Sequence, residues 1–286
     1  MNRFFFRVLN RLNLLPFLNL TGLVTLNRKT FKVPVKGGIG YNNMWMSEVW
    51  MIELLKIVTP ISKGVFVDVG VNVGQTLLKV KSVLTEIEYV GFEPNSTCVQ
   101  YVNDLVTINK FENTTIVPVG ISTKTALCKL FFYGNSTVDS SASIVENFRP
   151  GEQIKGTEFI PVFNMAVIKQ SLTLNKVGII KIDVEGCELE VLTELEDNIV
   201  ADQPIILIEI LPVYKANNIE RLQRQKKIEK LFVKWGYSIL RIVKENEELK
   251  NTIEINEIGI HGDIDNCEYA IIPNAIKDRF VHSFAI

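Results

Sequence analysis

From residue 65 onward, short apolar runs alternate with segments whose apolar residues recur at helical spacing. The runs at 177–183 and 204–210 are almost entirely apolar, which is typical of strands buried on both faces of a sheet. Further strands are predicted at 65–69, 88–92 and 114–119, with helices between most of them. This alternation predicts an α/β fold in which helices cover a parallel sheet and ligands bind at the carboxyl ends of its strands.

Two regions interrupt this alternation. Residues 130–133 and 159–163 have a strand-like pattern on either side of a polar loop. Near the C-terminus, residues 237–243 and 268–272 are also strand-like, and a long polar loop containing His261 separates them. Two successive strands without a helix between them predict an antiparallel edge on the sheet.

The first 45 residues form a predicted extension to a domain at 46–286, which begins with a helix at 46–58 that ends before Pro60. Alternating residues at 21–35 predict a β-hairpin.

The first 20 residues predict a basic amphipathic helix, in which Arg3, Arg7 and Arg11 lie opposite an apolar side. We favour the interpretation that this apolar side packs on the domain or on a partner subunit. Contact with an anionic membrane surface through residues 1–20 is the alternative.

The composition limits the classes of function. The chain has 286 residues, 47% of them apolar and 22% charged, as in a globular protein with a sizeable core. A net charge of −1 provides no basic field for nucleic acid. Four scattered cysteines and two histidines argue against a zinc site, a disulfide framework or a Ser-His-Asp triad, and fit a cytoplasmic protein. No apolar stretch approaches the roughly 18 residues that span a bilayer.

Residues 65–76 carry the most specific chemistry in the chain. A short apolar stretch ends in Asp68, and Gly70, Asn72 and Gly74 then alternate with valines before a helical pattern begins. This is typical of a strand that enters a tight turn and opens on a helix N-terminus, where free N–H groups hold nucleotide-like ligands. The spacing differs from the Gly-x-Gly-x-x-Gly that receives a dinucleotide pyrophosphate. An acid two residues before the first glycine suits a cationic ligand, so the turn favours S-adenosylmethionine over NAD.

Glu93 follows at the end of the next predicted strand, 19 residues after Gly74 and directly before Pro94. An acid in this position can accept both hydroxyl groups of an adenosine ribose. Together with the glycine turn it indicates an adenosine-containing ligand.

A third acidic stretch lies where a buried strand meets a helix, in the run Lys181-Ile-Asp-Val-Glu-Gly-Cys-Glu. Asp183 and Glu185, two residues apart, share one face of an extended segment. They could hold the donor's ammonium group, accept a proton from a hydroxyl nucleophile or bind a hard cation. An ion pair with Lys181, or simple helix capping, is the alternative.

These three stretches (67–74, 91–94 and 181–188), in this order and at this separation, resemble the FkbM-type S-adenosylmethionine-dependent methyltransferases. The resemblance covers roughly residues 45–275, and Lys-Ile-Asp-x-Glu-Gly-x-Glu is its most specific element. It implies a Rossmann-like class I methyltransferase fold, with a mostly parallel seven-stranded sheet, an antiparallel edge strand and helices on both faces. It also implies methyl transfer, usually to a hydroxyl oxygen of a sugar, glycan or related small-molecule acceptor.

The resemblance also assigns residues. Asp183 and Glu185 match the acidic stretch beside the transferred methyl group and are the candidate catalytic residues. Val71 stands where the family commonly has alanine. The residues assigned to the cofactor are Asp68, Gly70, Val71, Asn72, Gly74, Glu93, Pro94 and Asp183.

A divalent cation is a further option, and Asp183 with Glu209 would then be its ligands. Two other classes of function stay open. One is a nucleotide-binding oxidoreductase. The other is a non-catalytic or accessory module of the same fold that docks on a membrane-bound glycan assembly through its N-terminal helix.

Several weaker candidates complete the set. The serine-rich run at 140–143 could contact a ligand, although a turn is the simpler interpretation. His261 could supply a base from its loop, but a lone loop histidine is more often plain surface. Arg149 and Lys155 could meet an anionic acceptor, but nothing in the sequence distinguishes them from solvated charges. Cys187 is interpreted as a small packing residue.

Overall fold

The computed structural model describes residues 3–146, 148–149 and 151–284. The helices of these residues are α1 (Arg3–Arg11), α2 (Trp50–Ile61), α3 (Gln75–Val83), α4 (Ser96–Asn109), α5 (Met165–Ile168), α6 (Glu188–Glu194), α7 (Glu196–Asp202), α8 (Ile219–Trp235) and α9 (Lys277–His282). The strands are β1 (Asn19–Leu26), β2 (Lys29–Lys36), β3 (Val65–Val69), β4 (Tyr89–Phe92), β5 (Thr114–Val117), β6 (Gly120–Ile121), β7 (Ala126–Phe132), β8 (Gly156–Phe163), β9 (Val177–Ile182), β10 (Ile205–Glu209), β11 (Tyr237–Glu245), β12 (Glu248–Ile255) and β13 (Glu268–Pro273).

A large sheet with the strand order β12-β11-β13-β10-β9-β3-β4-β5 forms the centre of the molecule. The five strands from β10 to β5 in this order are mutually parallel. The predictions for β3, β4, β9 and β10 agree with the structure to within one residue at each end. Strand β5 ends two residues before the end predicted from the sequence. Because β3 and β9 are buried along their whole length, their apolar runs had identified them clearly.

The antiparallel part of the sheet is larger than the sequence predicts. The described sheet has eight strands rather than seven, and β13 runs antiparallel between β10 and β11 instead of forming the edge. The outermost strand on this antiparallel side is β12, which lies in the predicted polar loop. It pairs with β11 across a turn where Asn246 and Glu247 have positive φ. None of its residues is buried, so it lacks the apolar alternation that marks a strand.

Helices cover both faces of this sheet. On one face, α2, α3, α4 and α9 contribute to an apolar layer that includes Leu54 and Phe280. On the other face, α6, α7 and α8 contribute a second layer that includes Leu192 and Phe232. The predicted α/β architecture with helices on both faces is therefore confirmed.

Helix α2 differs from its prediction of 46–58. It begins only at Trp50, because Met46 and Glu48 have φ of 50° and 54°, which a right-handed helix does not contain. It also continues past Pro60, which lies in the last helical turn rather than beyond the end. A proline near the C-terminal end costs one backbone hydrogen bond without breaking the helix further along the chain.

The N-terminal segment contains the expected helix and hairpin. Helix α1 buries Phe6 and Leu9 against strands β1 and β2, in a cluster that also includes residues of α3 and α4. Arg7 lies over the Trp45 ring at 4.5 Å. Phe17, by contrast, is 83% exposed. The division of the chain at residue 45, and membrane contact through residues 1–20, stay predictions, and the first two residues lie outside the described part.

Across the described residues, we find no helix with the length and apolar character that crossing a bilayer requires.

Strands β6, β8 and β7 form a separate small sheet in that order. Strand β8 contains the run predicted at 159–163, and β7 contains the run predicted at 130–133 except for its last residue. Together with the loop between them, this sheet forms a wall of the site described next.

Candidate functional site

A cavity of about 310 Å³ opens at the carboxyl ends of the parallel strands. The turn after β3 contributes Gly70 and Asn72 to its lining, and the end of β4 contributes Glu93. The ends of β9 and β10 contribute Asp183 and Glu209. The parallel topology thus gathers in one place the acidic residues that the sequence places far apart.

The opposite wall comes from the small sheet and the loop at 139–144. Ile160 and Val162 of β8 provide an apolar surface, and Ser140 and Ser143 line the cavity beside it. Asp139 holds this loop, because its carboxylate accepts hydrogen bonds from the backbone N–H groups of Tyr133, Gly134 and Ser141. The serine-rich run is therefore both a turn and part of the cavity wall.

The glycine turn is fixed by close backbone packing. Gly70 has φ of +92°, and a Cβ placed on it would lie 2.0 Å from the carbonyl oxygen of Asp183. Asn72 also has positive φ, at 48°, a conformation that asparagine tolerates better than most residues. Gly74 is the N-cap of α3, where a Cβ would meet Leu105 of α4 at 3.0 Å.

Glu93 is a buried carboxylate in the cavity wall. Its two oxygens each accept a backbone N–H at 2.8 Å, one from Asn95 and one from Asn72. Burial raises the pKa of Glu93 to about 7, although these two N–H groups oppose the shift. The hydrogen bonds fix the carboxylate between the glycine turn and the start of α4, and each oxygen keeps a lone pair for a ligand hydroxyl group.

Asp183 is held in place by a buried lysine. Lys181 Nζ donates to Asp183 Oδ2 at 2.8 Å and lies 3.7 Å from Asp68 Oδ1. Burial would lower the pKa of Lys181, but the two carboxylates raise it above its ordinary value. Burial would likewise raise the pKa of Asp183, yet Lys181 lowers it, so Asp183 stays ionised. The ion pair considered as an alternative is present, and Asp183 still lines the cavity.

Glu209 faces Asp183 from the neighbouring strand. Burial and the charge of Asp183 raise the pKa of Glu209 to about 8. The Cys267 thiol lies 3.3 Å from Glu209 Oε1. At neutral pH the pair is therefore one ionised and one protonated carboxyl group.

Glu185 lies in the same cavity wall, paired with Arg149. The guanidinium Nη2 donates to Glu185 Oε1 at 2.7 Å, whereas Oε2 is buried and has no hydrogen-bond partner among the described residues. Burial raises the pKa of Glu185 to about 7, against the opposing effect of Arg149. No local pattern singles out Arg149, because its partner Glu185 lies 36 residues further along the chain.

Three residues assigned to the cofactor do not line this cavity, and each has another role. Asp68 is fully buried, and its carboxylate accepts a hydrogen bond from the Tyr89 hydroxyl. Successive residues of β3 point to opposite faces, so Asp68 points away from the side of Val69, which does line the cavity. Val71 packs over Gly91, whose missing side chain leaves it room, and Gly74 only shapes the turn. Their assignment to the cofactor stays a prediction, and each would act by shaping or supporting the turn rather than by lining this cavity.

The weaker candidates differ in whether they line the cavity. Cys187 lines the cavity, but His261 and Lys155 do not. In the described part of the chain, no group of three or more His, Cys, Asp or Glu side chains is arranged to hold a metal ion. A cation held by Asp183 and Glu209 stays a prediction.

Sequence reasoning missed a second buried lysine near the site. Lys79 of α3 is 1% exposed and donates to Glu48 Oε2 at 2.7 Å. Burial lowers the pKa of Lys79, and Glu48 opposes the shift. Glu48 itself lines the cavity from the turn before α2. The helical pattern around Lys79 is ordinary, so nothing in the sequence indicates that this lysine is buried and paired with Glu48.

A family model for the methyltransferase FkbM domain matches residues 68–239, which is more than half of the chain. The chain belongs to the FkbM methyltransferase family. The match includes the glycine turn, Glu93 and the 181–188 stretch that had suggested the family. Membership of this family identifies S-adenosylmethionine as the methyl donor, and the central sheet is a Rossmann-like class I methyltransferase sheet with additional antiparallel pairing.

Several solved structures are similar to this FkbM methyltransferase at low sequence identity. The FkbM methyltransferase of Methylobacillus flagellatus is 17% identical with a TM-score of 0.44, over 73% of this chain and 43% of that one, so the chain spans less than half of that protein. Precorrin-6y C5,15-methyltransferase from Geobacter metallireducens is 13% identical with a TM-score of 0.38, over 78% and 86% of the two chains. An S-adenosylhomocysteine-bound methyltransferase from Podospora anserina is 10% identical with a TM-score of 0.40, over 70% and 74%. No curated protein sequence matches the chain significantly.

The cavity of this FkbM methyltransferase has a lining whose chemistry fits the methyl donor. Glu93 offers acceptor oxygens for ribose hydroxyl groups, and Ile160 with Val162 offers an apolar surface for a purine. Asp183 provides an ionised carboxylate for an ammonium group.

Proposed function

We propose that the protein catalyses S-adenosylmethionine-dependent O-methylation of a hydroxyl group on a sugar, glycan or related small-molecule acceptor. When bound, S-adenosylmethionine supplies a methyl group that its sulfonium sulfur already activates. Gly70, Asn72, Glu93, Pro94 and Asp183, which all line the cavity, are the residues proposed to hold it. The protein's remaining task is to orient the acceptor hydroxyl group and to remove its proton.

The unpartnered oxygen of Glu185 carries this proposal. Arg149 binds Oε1 of the carboxylate, and Oε2 accepts no hydrogen bond from the described residues. Because Glu185 lines the cavity, we propose that Oε2 takes up the proton of the acceptor hydroxyl group. A pKa of about 7 places Glu185 near the pH at which a general base is most effective. We therefore assign Glu185 as the general base.

Asp183 is proposed to orient the reacting groups rather than to accept the proton. Its pKa is below its ordinary value, so it is a weaker base than Glu185. Lys181 fixes one of its oxygens, and Asp183 presents its charge to the same cavity. The carboxylate can thus accept a hydrogen bond from the acceptor hydroxyl group or from the donor's ammonium group.

The test is a transfer assay with methyl-labelled S-adenosylmethionine and a panel of neutral sugars, with amines, carboxylic acids and an RNA as competing acceptors. We expect label in sugar products that resist mild alkali, because methyl ethers survive conditions that hydrolyse methyl esters. Heat-denatured protein is the control. Label only in amines, esters or RNA would contradict methylation of a hydroxyl group on a sugar acceptor, and donor binding without turnover on any acceptor would contradict a catalytic role.

The pH dependence of turnover provides a separate test of the roles given to Glu185 and Glu209, whose pKa values are both raised. Glu185 accepts a proton only when ionised, so kcat is expected to rise as the pH passes about 7, its pKa. Above about 8 Glu209 also ionises, and its charge repels Asp183, so kcat is expected to fall. The variant Glu209→Gln keeps a neutral hydrogen-bonding group and should remove only the alkaline fall. A fall that persists in this variant, while the protein stays folded, would refute the role of Glu209.

A further inference from the structure

The cavity of about 310 Å³ that Glu93 and Asp183 line is called the donor cavity from here on. A second cavity, of about 250 Å³, lies beside it. Two backbone stretches, at 143–146 and at 185–188, each contribute residues to both cavities and lie between them. Residues 143 and 144 line the donor cavity, whereas Val145 and Phe148 line the second one. Glu185 likewise lines the donor cavity, whereas Gly186 and Glu188 line the second. One ligand could therefore contact both spaces across a partition that is only a few residues thick.

Gln225 of α8 indicates that the second cavity is built for a ligand. The residue is 3% exposed and lines this cavity. Its amide nitrogen donates to the carbonyl oxygen of Gly259 at 2.9 Å, but Oε1 is buried and accepts no hydrogen bond within the described part of the chain. A buried amide oxygen without a hydrogen bond is costly, so the site calls for a ligand that brings an O–H or N–H donor.

The charges around Gln225 favour a neutral ligand. Arg221 lies over the Phe148 ring at 4.6 Å and donates to the carbonyl oxygen of Leu211 at 3.3 Å. Arg224 is paired with Glu190, at 2.9 Å between Nη1 and Oε1. Glu188 adds an acid, whose pKa burial raises to about 7. Since both signs are present and close together, neither an anion nor a cation gains a clear advantage.

The remaining lining is apolar. Val145, Ile210, Leu211 and Ile228 give the cavity a surface without hydrogen-bonding groups. Its volume is many times the roughly 30 Å³ that one water molecule occupies in the liquid. A ring that has hydroxyl groups on its edges and C–H groups on its faces matches both kinds of wall.

We propose that the second cavity binds a neutral sugar unit of the acceptor, next to the unit whose hydroxyl group receives the methyl group. The acceptor is then at least a disaccharide that lies across the 184–188 stretch. Gln225 Oε1 accepts a hydrogen bond from a hydroxyl group of this second unit, and Leu211 packs against its apolar face. The inference deepens the proposed function and rests on it for the transfer step, whereas the binding of the second unit is measurable by itself.

The experiment measures the binding of neutral monosaccharides and disaccharides to the full chain by saturation-transfer NMR, in the presence of S-adenosylhomocysteine. Two variants address the second cavity. Leu211→Trp fills it from a half-buried position, and Gln225→Leu removes the amide oxygen. Gln223→Leu, on the exposed side of the same helix, is the matched control. Leu211→Trp keeps the test decisive if Gln225→Leu fails to fold.

We expect a disaccharide to bind the native protein, and each cavity variant to weaken that binding about 10-fold, as the loss of one hydrogen bond or of the space predicts. Gln223→Leu should leave the binding unchanged. Absence of disaccharide binding, or equal binding in native protein and Leu211→Trp, would overturn the proposal.

Turnover separates this inference from the proposed function. With a disaccharide that is methylated, kcat/KM should exceed that of the matching monosaccharide, and Leu211→Trp should remove the advantage. Sugar transfer with no such advantage overturns the second subsite and leaves O-methylation intact. Disaccharide binding that depends on Leu211, without transfer to any sugar, supports the subsite and refutes the proposed function.

Discussion

Replacing Glu185 by glutamine is expected to lower kcat for methyl transfer by about 10²–10⁴-fold, the usual contribution of a general base. Glutamine keeps the size of the side chain and can still accept the hydrogen bond that Arg149 donates to Oε1. It cannot take up a proton at the position of Oε2. The loss should therefore appear in kcat, while the affinity for S-adenosylmethionine stays as it is in the native protein.

The measurement is turnover of the sugar acceptor found in the assay, together with donor affinity by calorimetry. Glu196→Gln is the control, because Glu196 is also paired with a cation, Lys234, but does not line either cavity. Turnover at the native rate in Glu185→Gln would refute the assignment of the base. Equal losses in both variants would indicate a general effect on folding instead.

Replacing Gly70 by alanine is expected to destabilise the protein by roughly 2–5 kcal/mol and to abolish donor binding. The range combines about 1–2 kcal/mol for a side chain at positive φ with about 1–3 kcal/mol for overpacking. The overpacking is severe here, because the new Cβ would lie 2.0 Å from the Asp183 carbonyl oxygen, which is backbone and cannot rotate away. The turn after β3 and the end of β9 must then move apart, and both line the donor cavity.

A matched variant separates the cost of a side chain at positive φ from the cost of its steric overlap with neighbouring backbone. Gly236 also has positive φ, at +76°, but a Cβ on it would meet no atom within 4 Å. Gly236→Ala should therefore lose only about 1–2 kcal/mol and keep donor binding. Chemical unfolding and calorimetric titration with S-adenosylmethionine measure both quantities. Equal destabilisation in the two variants, with donor binding kept in Gly70→Ala, would contradict the role given to the β3–β9 contact.

The parallel half of the sheet and its glycine turn were predictable because their signals are local. A strand buried on both faces must be apolar throughout, as β9 is, and a turn that approaches neighbouring backbone needs glycine at Gly70. Strand β12 was missed for the opposite reason. It is an exposed edge strand, so burial imposes no pattern on its residues.

The sequence by itself determined the family, the methyl donor and the edge of the sheet at which the donor cavity lies. Each depends on short stretches whose residue types are dictated by neighbours along the chain, as with Asp183 and Glu185 at the end of β9. Only the tertiary structure decided which acids face the cavity. The alternation of β3 turns Asp68 away, and the fold brings Arg149 to Glu185 across 36 residues. Burial and pairing of charges depend on the packing of distant segments, and no local pattern records them.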